Sequence, residues 1–230
     1  MKHRTYGGKL LYLTDGTGEM GREWFTVTVY GDGSRTLRAR CEMDDDQLLR
    51  DVTNTVGPDW RPRDAFVRLT FEDEFVGSGW YRFGEHLAEC EAWTAAEGRV
   101  SYRRDLEQRP PSLGAHPVCC DTWHTAAAWH QDPSPGVTRL ERIAMTSFLP
   151  NGGSGPELVF TDLDVEYRGE EEITGPAGTF ATRHFASFRA GAAKDRPPIE
   201  VWAFSDDFVP ARLRWDLLGQ TYELVEFESG

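Results

Sequence analysis

The chemistry-bearing side chains concentrate in one stretch, Pro111-Ser-Leu-Gly-Ala-His116-Pro-Val-Cys119-Cys120-Asp121-Thr-Trp123-His124-Thr-Ala-Ala-Ala-Trp129-His130, which holds three of the six histidines, two adjacent cysteines and an aspartate. A histidine beside a carboxylate can move protons, because the imidazole titrates near neutrality and the carboxylate fixes its tautomer. Asp121 and His124 stand three residues apart, which places them on one face if the segment is helical. His116 is the third candidate in this stretch. Zinc sites favour repeated Cys and His pairs, and neither C-x-x-C nor H-E-x-x-H occurs, so no metal is assigned. Cys120 has histidines near it in sequence but no glycine elbow, and a buried cysteine commonly acts as a small hydrophobe. Gly152-Gly-Ser-Gly155 lacks the lysine and helix of a phosphate loop, and no cofactor is expected.

Around this stretch the chain reads as strand after strand. Glu23 to Tyr30 alternates, with Phe25, Val27 and Val29 on one face; Gly31-Asp-Gly-Ser34 is a turn, and Arg35 to Glu42 alternates again. Asp44-Asp-Asp46 is suited to cap a short helix over Gln47–Val52. Alternating segments then recur at 65–71, 77–83, 87–94 and 99–103, and after the central stretch at 138–148, 158–167, 179–188, 199–204, 209–215 and 221–227. Gly, Pro and Asp punctuate them. Cys120 to Ala128 has helical composition, rich in alanine and free of glycine and proline. Residues 151–156 and 191–198 are hairpin loops, the second with a charged tip. The spacing predicts an antiparallel barrel rather than βαβ units, arranged as two meanders of about six strands each.

Composition limits the partners. The 230 residues carry a formal charge of −13, which repels nucleic acid and anionic membrane surfaces at long range. No run of eighteen apolar residues occurs. The basic N-terminus leads into no apolar segment of a secretory signal, and four cysteines make no disulfide framework, so a cytoplasmic protein with reduced thiols is expected. Eight tryptophans suit a cavity that receives a flat, apolar or aromatic molecule. Oligomeric state stays open, with a homodimer among the options.

The run Tyr167-Arg-Gly-Glu170-Glu-Glu-Ile-Thr-Gly-Pro176-Ala-Gly178-Thr-Phe180-Ala-Thr-Arg183-His184-Phe is followed by Glu200-Val-Trp202, Arg212-Leu213 and Tyr222-Glu-Leu224. It resembles an element of uncharacterised bacterial lipocalin-like antiparallel barrels, over about Asp164 to Glu226, the C-terminal third. The resemblance implies a barrel and says almost nothing about chemistry. The expectation is one all-β domain over residues 1–230: a single antiparallel lipocalin-like β-barrel of about twelve strands with a short helical insertion near 115–130.

Alternation places His184 on a face with Phe180, Thr182, Ala186 and Phe188, an apolar set expected to point into the barrel. The leading functional expectation is a cofactor-free lyase or isomerase. In it His116, Asp121, His124, Tyr167 and His184 form the acid/base constellation, and Trp80, Trp123, Phe180, Arg183 and Trp202 contact a small apolar or aromatic molecule. A desolvated histidine would remove a proton while a tyrosine or arginine stabilises the developing anion. Elimination, or retro-aldol loss of formaldehyde from an aryl dimer, illustrates such chemistry. The alternatives are a non-catalytic barrel that binds or carries a hydrophobic ligand, and a structural module with a filled interior.

Overall fold

The computed structural model describes residues 3–191 and 197–230. The tip of the 191–198 loop and the first two residues of the basic N-terminus lie outside the described residues. Eight strands come first: β1 (His3–Thr14), β2 (Gly18–Tyr30), β3 (Arg35–Met43), β4 (Leu48–Val56), β5 (Pro62–Phe71), β6 (Glu74–Phe83), β7 (Leu87–Thr94) and β8 (Gly98–Asp105). A two-residue strand, β9 (Leu113–Gly114), leads into the helix α1 (Val118–Gln131). Six strands follow: β10 (Gly136–Met145), β11 (Val159–Gly175), β12 (Gly178–Arg189), β13 (Ile199–Phe204), β14 (Val209–Trp215) and β15 (Gln220–Ser229).

All fifteen strands join one sheet, in which β1 to β8 and β9 to β15 run outward as two meanders from a central β1–β15 pair. That pair is antiparallel, with Tyr6 opposite Ser229 and Thr14 opposite Gln220. The all-β class and the helical insertion therefore stand as expected, with eight and seven strands in the two halves. The three additional strands are β1, β4 and β9. Segment 48–56 is a strand, not the expected helix over 47–52. Its inward residues are Leu48, Arg50, Val52, Asn54 and Val56, all buried. Two of those five are polar, which hid the alternation.

Elsewhere the apolar alternation sets the register. Phe25, Val27 and Val29 of β2 and Leu37, Ala39 and Cys41 of β3 are buried on the inner face. Each large side chain so placed contributes about 1.5–3 kcal/mol of hydrophobic stabilisation. Asp32 shapes the β2–β3 turn by accepting a hydrogen bond from the Ser34 backbone N–H at 2.9 Å.

The outer strands β8 and β9 are not hydrogen-bonded to each other; side chains and the loop after β10 close the curl instead. Arg50 of β4 donates to the Ala115 carbonyl at 2.8 Å and Tyr81 of β6 reaches the Thr146 carbonyl at 3.5 Å. Pro156 seats on β6 where glycine leaves room, and a Cβ at Gly79 would lie 2.8 Å from its ring.

Helix α1 lies inside the curled sheet. Ten of its residues are buried on every side, the mark of a core helix. Trp123 packs edge-on against Trp60 at 5.9 Å, and Trp129 packs against Tyr167 at 4.8 Å and Phe185 at 6.2 Å. Pro117, which precedes the helix, offers no side-chain cap. The cap comes from the sheet: the Val118 backbone N–H donates to Oε2 of Glu23 at 2.7 Å, and the Tyr12 hydroxyl donates to the same oxygen at 2.7 Å. A carboxyl there meets both the free N–H groups and the positive end of the helix dipole.

Replacing Glu23 by alanine leaves Tyr12 and the first turn of α1 with unmet donors in a dry interior. Glu23→Ala is expected to lower unfolding free energy by about 3 kcal/mol, and Glu23→Gln by clearly less. Urea denaturation followed by tryptophan fluorescence measures both; equal losses for the two variants would contradict this role.

Candidate functional site

Between α1 and the inner face of the sheet lies a cavity of about 960 Å³. Its walls are mostly apolar and include Met20, Met43, Phe160, Val201, Leu213 and Trp215. His116, Asp121 and His124 all line it, as do Tyr12 and Tyr222. The helix explains how three separated residues meet: Asp121 sits in its first turn, His124 one turn later, and His116 just before it. His116 has a left-handed backbone at φ 75°, uncommon for a residue with a Cβ.

The cavity groups are strongly desolvated. Burial, with a smaller effect of the nearby Arg50 charge, lowers the His116 pKa to about 3. Its Nε2 is shielded from solvent and has no hydrogen-bond partner. Burial lowers His124 to about 4. Its Nδ1 is hydrogen-bonded to the Ser112 hydroxyl at 2.6 Å, which fixes the ring. Gly114 gives that ring room, because a Cβ there would stand 3.1 Å from Nε2 and 2.4 Å from the Met145 sulfur. Burial, then the charge of Glu23, raises Asp121 to about 8. At neutral pH the site thus holds a protonated carboxyl and a neutral imidazole one helical turn apart. That combination can donate and accept hydrogen bonds without presenting a net charge. Tyr12 packs edge-on against Tyr222 at 5.0 Å on the cavity wall.

The remaining expected site residues lie elsewhere. His184 points to the outer face, away from Phe185 and from the cavity-lining Val201, opposite Trp202 in register. There it stacks on Trp202 at 4.4 Å and is hydrogen-bonded through Nε2 to Glu200 at 2.8 Å. The expectation fails at His184, where Phe185 takes the core position, although Thr182 and Ala186 of the expected set are buried and Phe188 lines the cavity. Tyr167 is inward but packs on Trp129 and Phe185 away from the cavity. Trp202 donates to Glu171 at 2.7 Å on the outer surface. Trp123 is buried against Trp60, Phe180 stacks on Phe204 at 4.2 Å, and Arg183 covers Trp129 at 5.1 Å. Trp80 is exposed on the outer face. None of these five expected ligand contacts lines the cavity.

Glu23, Arg50, Ser112, Tyr12 and Tyr222 went unread in the sequence. Glu23 shares parity with Phe25, Val27 and Val29, so its burial was written in the alternation. Arg50 is fully buried, and its Nε and one terminal nitrogen have no partner. Among the described residues no group of three or more His, Cys, Asp or Glu could hold a metal ion, and no helix is long and apolar enough to cross a membrane.

Fold and cavity together define a barrel-like all-β protein with an internal helix. No family model matches the chain, and no curated protein does. Among solved structures, the chain is similar to a beta-barrel-like protein of the domain of unknown function DUF1849 from Brucella abortus. The TM-score is 0.55 and the identity 12%, over 99% of this chain and 97% of that one. A duf1089 family protein from Pseudomonas aeruginosa is 8% identical with a TM-score of 0.46, over 82% of this chain and 87% of that one. The likeness to the first spans nearly the whole chain, so the resemblance is not confined to the C-terminal third.

The cavity groups set a pH dependence. The folded state holds His116 and His124 below the ordinary 6.5, so the unfolded chain takes up protons first and stability falls as pH drops below about 6.5. Asp121 is raised from 3.8 to about 8, so the folded state keeps a proton that the unfolded chain has released, and stability falls as pH rises toward 8. The raised pKa of Glu23 acts in the same sense as Asp121. Asp121→Asn is expected to flatten the loss between pH 6.5 and 8. Denaturation midpoints across that range test it, and an unchanged slope in the variant would refute the assignment.

Proposed function

We propose that the protein binds a hydrophobic small molecule inside the barrel, with a neutral polar group of that molecule held against Asp121 and His124. The observation that carries this reading is the cavity of about 960 Å³. It lies in the size range of small-molecule sites, with apolar walls and a few convergent polar groups. A purely structural module would fill that space. At their end of the cavity the neutral acid and imidazole favour a hydroxyl or carbonyl over a charged group, since neither carries a charge to pair with an ion. A reducing compartment such as the cytoplasm fits the four buried free thiols.

Asp121 favours a second reading, that of a cofactor-free lyase or isomerase. A carboxyl with a pKa of about 8 is a proton donor at neutral pH, and the neutral His124 one helical turn away is a hydrogen-bonding partner and, at a pKa of about 4, only a weak base. Elimination, or retro-aldol release of formaldehyde from an aryl dimer, illustrates such chemistry, with Asp121 as the proton donor. His184 and Tyr167 have no part in it.

Titration with a panel of hydroxylated aromatics and aryl dimers, followed by product analysis, separates the two. Val201→Phe, which narrows the cavity, is expected to weaken binding at least about tenfold without loss of the β-sheet circular dichroism signal. Binding that survives this variant unchanged would place the ligand elsewhere. Turnover by the wild type that disappears in Asp121→Asn would establish the enzymatic reading; binding without product would leave the carrier.

A further inference from the structure

A second aromatic constellation lies on the opposite side of the sheet from the cavity. Trp80 of β6 and Trp93 of β7 are 66% and 59% exposed, and Phe66 of β5 is 42% exposed. Register brings them together: Phe66 is opposite Trp80, and Trp80 is opposite Glu91, two residues from Trp93. They wall a slot of about 280 Å³ that also includes Ser78, Gly79, Ala92 and Arg99. Keeping two tryptophans in water forgoes a large hydrophobic gain, since either would stabilise the fold more if buried.

The polar rim narrows the choice of occupant. Glu91 Oε2 accepts from Ser101 Oγ at 2.7 Å and from the Arg99 guanidinium at 3.0 and 3.3 Å. Its other oxygen is left to accept from a ligand, and Arg99 keeps further N–H groups to donate. Arg99 opposes a cation in this slot. Glu91 and the net charge of −13 oppose an anion. A wholly apolar molecule would desolvate a carboxylate and a guanidinium without replacing their hydrogen bonds. What fits is a neutral ring with C–H faces for the tryptophans and hydroxyls at its edge for Glu91, Arg99 and Ser78. We infer that the Trp80–Trp93 slot binds a neutral saccharide, separately from whatever occupies the cavity.

The test is titration of the full chain with cellohexaose, chitohexaose and maltohexaose, read by calorimetry and tryptophan fluorescence. At least one is expected to bind. Trp80→Ala and Trp93→Ala should each weaken that binding about tenfold or more, whereas Trp24→Ala, elsewhere on the outer face, should not. Both slot variants alter exposed side chains, so unchanged melting temperatures would show that they fold. Three results would overturn the inference: no binding of any of the three sugars, undiminished binding by both slot variants, or a wild-type dimer that Trp80→Ala converts to a monomer. The last would make the patch a contact between copies.

Discussion

The carboxyl of Glu23 fixes the relation between sheet and helix on which the interior depends. Three donors converge on its Oε2: the Val118 backbone N–H, the Tyr12 hydroxyl and, at 3.7 Å, the Cys41 thiol. The segment before the helix carries no cap of its own, so the sheet supplies one. The contact is expensive in solvation, and its pKa rises with burial despite the donors around it. Its return is positional. With the helix N-terminus pinned above β2, Asp121 and His124 are aimed at the same space and Tyr12 is held at its edge.

That space exists because the helix only partly fills the curled sheet. Its C-terminal half packs on Tyr167 and Phe185 through Trp129, and its middle packs on Trp60 through Trp123. Its N-terminal half rests on a polar set, with Asn54 donating to the Cys120 sulfur at 3.5 Å and Arg50 holding the Ala115 carbonyl. The gap on the remaining side becomes the cavity. The helix and its lead-in supply the desolvated His116, Asp121 and His124, the strands add Tyr12, Arg104, Arg189 and Tyr222, and the apolar walls come from β2, β3 and the second meander. One buried acidic group also tunes another, because Glu23 adds to the desolvation that keeps Asp121 protonated.

Much of this was legible in the chain. Clean alternation in β2, β3, β5 and β6 identified an antiparallel sheet, and the alanine-rich run after Cys120 located the helix. The concentration of His116, Asp121 and His124 in that run led to the cavity, since one helix and its lead-in carry all three. Three features were not legible. Strand β4 hid behind Arg50 and Asn54, because polar residues at inward positions break the pattern that alternation relies on. His184 sits in a strand where both faces carry apolar residues, so period two did not choose between them, and a slip of one residue reverses every side chain. The aromatic residues gave no sign of direction: tryptophan serves equally as core in Trp60 and Trp123 and as exposed surface in Trp80 and Trp93.

The central position of the β1–β15 pair has a consequence for how the molecule assembles. Nearly every other strand pairs with its neighbour in sequence, through hairpins that close over short loops and form early. The seam between the two meanders joins Tyr6 to Ser229 and so spans almost the whole chain. Its closure carries the largest entropic cost of any pairing in the sheet. During synthesis the first meander must wait with one long edge exposed until β15 is made. The strand at the far end of this stretch of chain supplies the middle of the sheet rather than its margin, and the barrel is completed from the inside.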